Sequence, residues 1–439
     1  MSLATTTSTP VGASPRDTDA LRARFAPLFA EIAAGTLERE RDRSLPRDAV
    51  RALTEAGFGT LRLPVEHGGA GATLPQLTAL LVDLAAADSN LPQIWRGHIA
   101  FVEDLLVTPH SAFRERWLRR IAEGAVIGNA WSEIGSVERG AFGTVLTVED
   151  GRAEVSGTKF YTTGSIYADY SDTLVQSTDG TQHIAVVPLD QPAVRISDDW
   201  DGFGQRLTGT GTIVYDRAGL EAADVIPFAD RFGYQTAVYQ LVLLAVHAGI
   251  AAAVEADAIA AVAARTRTYS HGNADRVRQD PQILQVVGEI SAVAHAASAL
   301  TDQVAHAVQA AHEAAAVQGE AAREGRPTAD AQAEGARSVD APSLQDAIVA
   351  AELASARAQI LTSRLVPEAA TQLFDALGAS AVREGAALDR HWRNARTVAS
   401  HNPWVYKARE VGDWAVNGTA PGFQWSIGTV STPSAGATT

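Results

Sequence analysis

The sequence predicts a three-part fold in chain order: a helical segment, a compact β domain, and a second helical segment. Three observations predict it. Between about Val126 and Tyr215, short β-branched runs (TVLTV, TLVQS, HIAVVPL, TIVYD) are separated by turn residues such as Asp150-Gly151 and Asp179-Gly180. Before this stretch the hydrophobic pattern is helical to about Gly124; from about Phe228 onward it is helical again, Ala-rich and poor in Gly and Pro. The chain has 439 residues, 46 % of them hydrophobic, enough to enclose a sizeable core.

The elements follow in order. Residues 1–13 are rich in Ser, Thr, Pro and Gly and read as a disordered tail. Ser14, Pro15 and Asp17 form a capping-box pattern that opens an N-terminal helical domain over 14–125. Inside it, EHGGAGAT (Glu66–Thr73) does not satisfy G-x-G-x-x-G and has no βαβ surroundings, so it reads as a tight turn before a helix starting near Leu74. The β domain occupies 126–227, and a C-terminal helical part 228–424. Its polar stretch Gln318–Pro342 reads as a loop or frayed ends between two long helices. Residues 425–439 read as a second tail.

Composition removes several classes of function. There is no cysteine, hence no disulfide, thiolate metal site or cysteine nucleophile. The net charge of −15 repels nucleic acid and anionic membrane. The first residues, MSLATTTSTPVGASP, lack the basic end and apolar core of a secretory signal, and no apolar run reads as long enough to span a bilayer. Neither H-x-x-x-H nor G-x-S-x-G occurs. The expectation is a soluble, cytoplasmic protein without a metal.

The chemistry-bearing stretches each have two readings. GNAWSEIGS (Gly128–Ser136) and GTKFYTTGSIYADY (Gly157–Tyr170) place hydroxyls and small residues at strand ends, either as ordinary turns or as donors to a planar polar ring whose face Trp131 covers. RTRTYSHGNADR (Arg265–Arg276) offers a phosphate clamp or a solvated helix end. His98 sits in an apolar helix as a core residue or a functional one. RHWRNARTVASHNP (Arg390–Pro403) is a cationic strip in an acidic chain, either an interhelical hydrogen-bond network or a cavity wall; Pro403 leaves His401 at a helix break.

LRLPVEHGGAGATLPQLTALLVDLAAADSN, GNAWSE with VSGTKFYTTGSIYADYSDTLVQS, and GQRLTGTGTIVYD resemble the acyl-CoA dehydrogenases, in the right order, over about Leu21 to Pro421. The resemblance implies an N-terminal all-α domain, a central β-barrel-like domain, a C-terminal four-helix bundle, and homotetramers or dimers with flavin at the subunit interface. The chain departs from the dehydrogenases where they keep a catalytic carboxylate. One such place reads ASHNPW here, and the other, Arg231 to Val254, contains no Asp or Glu. LDRHWRNARTVASHNPWVYKAREVGDWAVNG resembles instead the flavin-dependent monooxygenases of the dibenzothiophene monooxygenase type.

That branch implies a two-component enzyme. Reduced FMN (FAD as the alternative) comes from a separate flavin reductase, since no NAD(P)H fingerprint is present. It reacts with O₂ to a C4a-hydroperoxide that oxygenates a small organic substrate at sulfur, nitrogen or an electron-rich ring. By the resemblance, His98, Asn129 and His401 are catalytic. Asn129, Trp131, Ser132, Tyr161, Thr162, Thr163, Ser165, Arg265, Arg267, Gln282, Arg396 and His401 hold the flavin, with Arg265 or Arg267 meeting phosphate across a subunit interface. The alternatives are an acyl-CoA dehydrogenase or oxidase with another base, and a non-catalytic flavin-fold binding protein.

Overall fold

The computed structural model describes residues 17–134, 142–326 and 343–422. Both expected tails, Ser14 and most of the polar stretch 318–342 lie outside these residues.

Helices α1 (Thr18–Asp42), α2 (Arg47–Glu55), α3 (Leu74–Ala87), α4 (Leu91–Val107) and α5 (Ser111–Ala122) open the chain. Asp17 caps α1 by accepting the Asp19 N–H at 2.9 Å. The Glu66–Thr73 stretch is the expected turn: Gly68 and Gly71 take positive φ, and Thr73 and Gln76 form a reciprocal capping box on α3.

The β domain contains β1 (Ile127–Ala130), β2 (Val145–Glu149), β3 (Arg152–Lys159), β4 (Tyr170–Ser177), β5 (Gln182–Pro188), β6 (Val194–Ser197), β7 (Thr212–Glu221) and β8 (Val225–Pro227). Their order in the sheet is β6-β7-β3-β2-β4-β5-β8. β1 runs parallel to the first half of β4 and β2 to its end, so the two lie end to end along one edge of β4. Alternation along the strands divides the apolar side chains. Leu174, Ile184, Val186 and Ile226 face Phe101, Phe113 and Trp117 of α4 and α5. Val175, Ala185 and Val187 face Leu146, Val155, Ile213 and Tyr215, so the sheet wraps a core of its own. That is the barrel-like character the resemblance implies.

The C-terminal part packs α6 (Gln235–Ala264), α7 (Pro281–Arg323), α8 (Leu344–Leu377) and α9 (Asp389–His401) around Leu243, Val246, Ile250, Val366, Leu373, Ala395 and Val398; α10 (Trp404–Asn417) follows. Asp280 and Ser343 cap α7 and α8. One expectation is corrected here: α6 and α7 are long and apolar enough to cross a bilayer by length and composition. For α6, 89 % of the apolar window is buried inside the protein, so its hydrophobicity serves helix packing; for α7 the share is 17 %. The fold brings the middle of α4, the first turns of α6, the end of β1 and the end of α9 to one place.

Candidate active site

The centre of this place is Arg96. Helix α4 reads LPQIWRGHIAFVEDLLV and is buried along almost its whole length, with Arg96 only 6 % exposed in its middle. Arg96 Nη2 donates to His401 Nε2 at 3.0 Å, and its guanidinium lies 5.1 Å from the centre of the Tyr239 ring. An arginine can only donate, so His401 Nε2 is the acceptor and the neutral ring carries its proton on Nδ1. That proton points to Asn402 Oδ1 at 3.2 Å. Asn402 in turn donates through Nδ2 to Gln240 Oε1 at 3.0 Å, and its carbonyl accepts from Gln359 Nε2 at 2.9 Å. The break before Pro403 is thus tied to α6 and α8. Although much of His401 is exposed at the end of α9, its ring lies among packed atoms. That desolvation, and then the Arg96 guanidinium, hold the imidazole below its ordinary pKa.

The facing wall comes from the β domain. Asn129 is buried beside Gly97 of α4; a Cβ on residue 97 would stand 3.1 Å from Asn129 Oδ1, so the glycine makes room for the amide. Ser165 Oγ donates to the Asn129 carbonyl at 3.1 Å, joining the Thr162–Ser165 turn to β1. Thr163 and Thr210 share a hydroxyl hydrogen bond of 2.7 Å, and Thr162 donates to the Gly211 carbonyl at 3.0 Å. The Ser132 carbonyl accepts from Phe160 N–H at 2.9 Å. Trp131 stands edge-on to Phe228 and Tyr239, each at 5.6 Å, with the Arg231 guanidinium 5.1 Å over its ring. Arg231 is itself fixed by Asp172 at 3.0 Å and Asp104 at 3.6 Å.

Buried polar atoms on these walls without a hydrogen-bond partner include Gln93 Oε1, Arg96 Nε, Asn129 Oδ1 and the Tyr239 hydroxyl. Folded proteins satisfy nearly all such groups. These donors and acceptors, between a tryptophan, a tyrosine and a threonine-rich turn, fit a planar polar ring such as a flavin together with a second polar ligand.

The structure separates the remaining candidates. His98 is corrected: its Nδ1 accepts the Ile127 N–H at 3.2 Å and its Nε2 donates to the Gly59 carbonyl at 2.8 Å, so backbone takes both ring nitrogens. Burial pushes its pKa down to about 4, against the raising effect of the Gly59 bond. It pins β1 to α4 and the turn at Gly59. Within one chain, Arg265, Arg267 and Gln282 lie outside the pocket, because Ala264 is about 37 Å along α6 from Tyr239 at 1.5 Å per residue. Arg265 donates to the Leu377 carbonyl at 3.0 Å at the end of α8, Gln282 accepts from Asn273, and Arg267 is exposed. Arg396 is exposed and donates to Ser400, one turn on, at 2.8 Å, which places it on the outer face of α9. Tyr161 is 51 % exposed and edges onto Trp200.

The cationic strip therefore has both of its readings at once. Arg390 and His391 each bond Asp257 of α6 at 2.8 Å, Arg393 bonds Glu40 of α1 at 2.7 Å, and Asn394 reaches Ser89 at 3.0 Å. These form the interhelical network; of the strip's arginines and histidines, His401 is the one that bonds Arg96. Sequence reasoning missed Arg96, Tyr239 and Gln240, whose signal was a polar residue inside an apolar helix. It also missed Glu352 of α8, buried against the first turn of α6, where it accepts from the Thr236 hydroxyl and the Ala237 N–H. Glu352 thereby caps α6 from another helix, and burial raises its pKa.

Residues 16–125 match the family described as acyl-CoA dehydrogenase, N-terminal domain, and residues 332–404 match the acyl-CoA dehydrogenase, C-terminal domain. The chain is 26 % identical over 423 residues to a probable FMNH2-dependent monooxygenase SfnC of Pseudomonas putida, covering 94 % of this chain and 98 % of that protein. It is 24 % identical over 415 residues to a dibenzothiophene monooxygenase of Rhodococcus erythropolis, covering 89 % and 93 %. Among solved structures, TdsC of Paenibacillus sp. A11-2 with FMN and indole superposes with a TM-score of 0.79 at 26 % identity, over 92 % of this chain and 98 % of that one. On the family matches, the fold and these relatives together, the chain carries the N- and C-terminal domains of the acyl-CoA dehydrogenases and resembles the flavin-dependent monooxygenases built on that fold, dibenzothiophene monooxygenase among them.

Proposed function

We propose that the chain is the oxygenase component of a two-component system, receiving reduced FMN from a separate flavin reductase and oxygenating a small organic molecule. Asn129, Trp131, Ser132, Thr162, Thr163 and Ser165 would hold the flavin; FMN is favoured over FAD because the SfnC and TdsC relatives are named with FMN. Bound reduced flavin would supply the two electrons that activate O₂, and O₂ would be the source of the transferred oxygen atom. The chain's own work is to orient and to exclude water. His401 is kept neutral and fixed in one tautomer, with Nδ1–H on Asn402 Oδ1, so it can take or return a proton at Nε2 when Arg96 lets go. Asn129 Oδ1 and the Tyr239 hydroxyl are the free polar contacts for the ring and substrate.

The observation that carries this reading is the relay Arg96–His401–Asn402–Gln240 standing where a dehydrogenase needs a carboxylate. Glu352 of α8, a buried carboxylate at the first turn of α6, caps that helix by accepting from Thr236 and Ala237. The test is turnover: with reductase, NADH, FMN and O₂ the enzyme should release an oxygenated product, whereas anaerobic acyl-CoA should leave oxidised flavin unbleached. Rapid bleaching would restore the dehydrogenase reading.

We assign the exposed apolar face of α7 to contact between copies in a homotetramer. Such contact could carry Arg265 or Arg267 of one copy to the flavin phosphate of another. We propose a cytoplasmic location, where a reductase would draw on reduced nicotinamide.

A further inference from the structure

Arg96 lacks the counter-charge that a buried guanidinium ordinarily has. It makes no ion pair within 4.0 Å among the described residues, and its one protein hydrogen bond is to a neutral imidazole. Other buried arginines of this chain are neutralised: Arg62 is paired with Glu103 at 2.8 Å, and Arg231 with Asp172 and Asp104. The last two carboxylates pair with Arg231, and neither is among the charges that act on Arg96. Arg96 itself meets the Tyr239 ring and His401; Gln93 lies one turn before it on α4, Asn129 packs beside the adjacent Gly97, and Gln93 Oε1 and Asn129 Oδ1 are unbonded. Burying such a cation without a partner is costly, and folded chains do so where a ligand brings the missing charge. Arg96 Nε is without a partner in the pocket, and Nη1 makes no hydrogen bond among the described residues.

We propose that the substrate is a small organic oxyanion, a sulfinate or carboxylate, whose acid group is held by Arg96 beside His401. The proposal rests on the flavin monooxygenase reading and names the substrate class for that site. Guanidinium donors match the two oxygens of such a group, and the body of the substrate would rest against Tyr239 and Trp131. Arg96 is held to His401 by a single bond, so engaging the oxyanion also frees His401 Nε2 to act on a proton. Desolvation lowers the Arg96 pKa to about 10, opposed only by Tyr239, which leaves it charged at neutral pH.

Calorimetry on the full chain tests this, with benzenesulfinate and benzoate as anions and methyl phenyl sulfoxide as the neutral counterpart, each with and without FMN. An anion held by an unscreened guanidinium should bind about 10- to 100-fold tighter than the neutral compound, and Arg96→Met should abolish the difference. FMN affinity of Arg96→Met should stay within a factor of about two, and its melting temperature should equal or exceed that of the wild type, because an uncompensated buried charge is removed. Arg96→Lys should keep part of the preference. Equal affinities in the wild type, or a preference that survives Arg96→Met, would overturn the proposal. Loss of FMN affinity in Arg96→Met would also overturn it, by assigning the cation to the flavin, and a lower melting temperature would do so by making Arg96 a structural residue. Failure of the monooxygenase reading is separate: it would appear as absence of FMN binding or of product in wild-type protein, whatever the anion preference.

Discussion

Replacing His401 by Ala removes two hydrogen bonds, the 3.0 Å bond from Arg96 and the 3.2 Å bond to Asn402. At about 1 kcal/mol net for each, the stability loss is about 2 kcal/mol, a fall of a few degrees in melting temperature. His401 stands at an exposed helix end and fills no core cluster, so no cavity cost is added. If His401 moves the proton in the oxygenation, turnover falls by roughly 10²–10⁴-fold, equivalent to about 3–5 kcal/mol of barrier. The catalytic loss therefore exceeds the structural one and can be told from it. His401→Gln, neutral and able to accept from Arg96, should recover stability without recovering turnover. The assay is product and H₂O₂ formed per NADH, measured on protein whose melting temperature and assembly state are recorded. Uncoupling to H₂O₂ should rise in both variants. Since desolvation and Arg96 keep the ring neutral, wild-type kcat/KM should show no break near the ordinary imidazole value of about 6.5. Turnover and coupling in His401→Ala near those of the wild type would remove the residue from the chemistry; a loss that tracks only the folded fraction would make it structural.

Other outcomes follow from buried groups. His98 and His247 have pKa values lowered to about 4 by burial, so the unfolded chain binds protons that the folded one does not between about pH 4 and 6.5. Stability should fall as pH drops through that window, with Asp104, raised to about 6 by burial, opposing part of the effect; a melting temperature that rises from pH 6.5 to pH 4.5 would contradict this. Glu103→Gln leaves Arg62 without its carboxylate and weakens the contacts to Tyr234 and His312, so it should destabilise by about 3–5 kcal/mol in chemical denaturation, and a loss below about 1 kcal/mol would refute the role assigned to this cluster. Gly97→Ala places a methyl group 3.0 Å from Asn129 Cβ, and should weaken FMN binding by roughly tenfold while His401 variants do not, as read by fluorescence titration of FMN.

The fold was legible because its evidence is local. Alternation in HIAVVPL sends Ile184 and Val186 to one face and Ala185 and Val187 to the other, and Thr73 with Gln76 starts α3 where the turn ends. The site was legible in part: Pro403 predicted the break that presents His401, and the Thr162–Ser165 turn does meet Asn129. What escaped depends on long-range pairing. Arg96 gains its meaning from a residue 305 positions away, and Glu352 caps a helix 116 positions before it. His98 misled because both its partners are backbone atoms, which leave no mark in a sequence. Hydropathy likewise underestimated α6, whose apolar length is explained only by the helices that surround it.

The central claim, that this pocket transfers an oxygen atom from O₂ with reduced FMN, is tested most directly by isotope labelling. Chemically reduced FMN is mixed with the enzyme, a sulfinate, a sulfide or an amine, and isotopically labelled dioxygen, with no reductase present, and the product is analysed by mass spectrometry. The account predicts one labelled oxygen in the product of an accepted substrate and none drawn from water. Labelled H₂O₂ as the sole product with every class of substrate, or product oxygen derived from water, would contradict it.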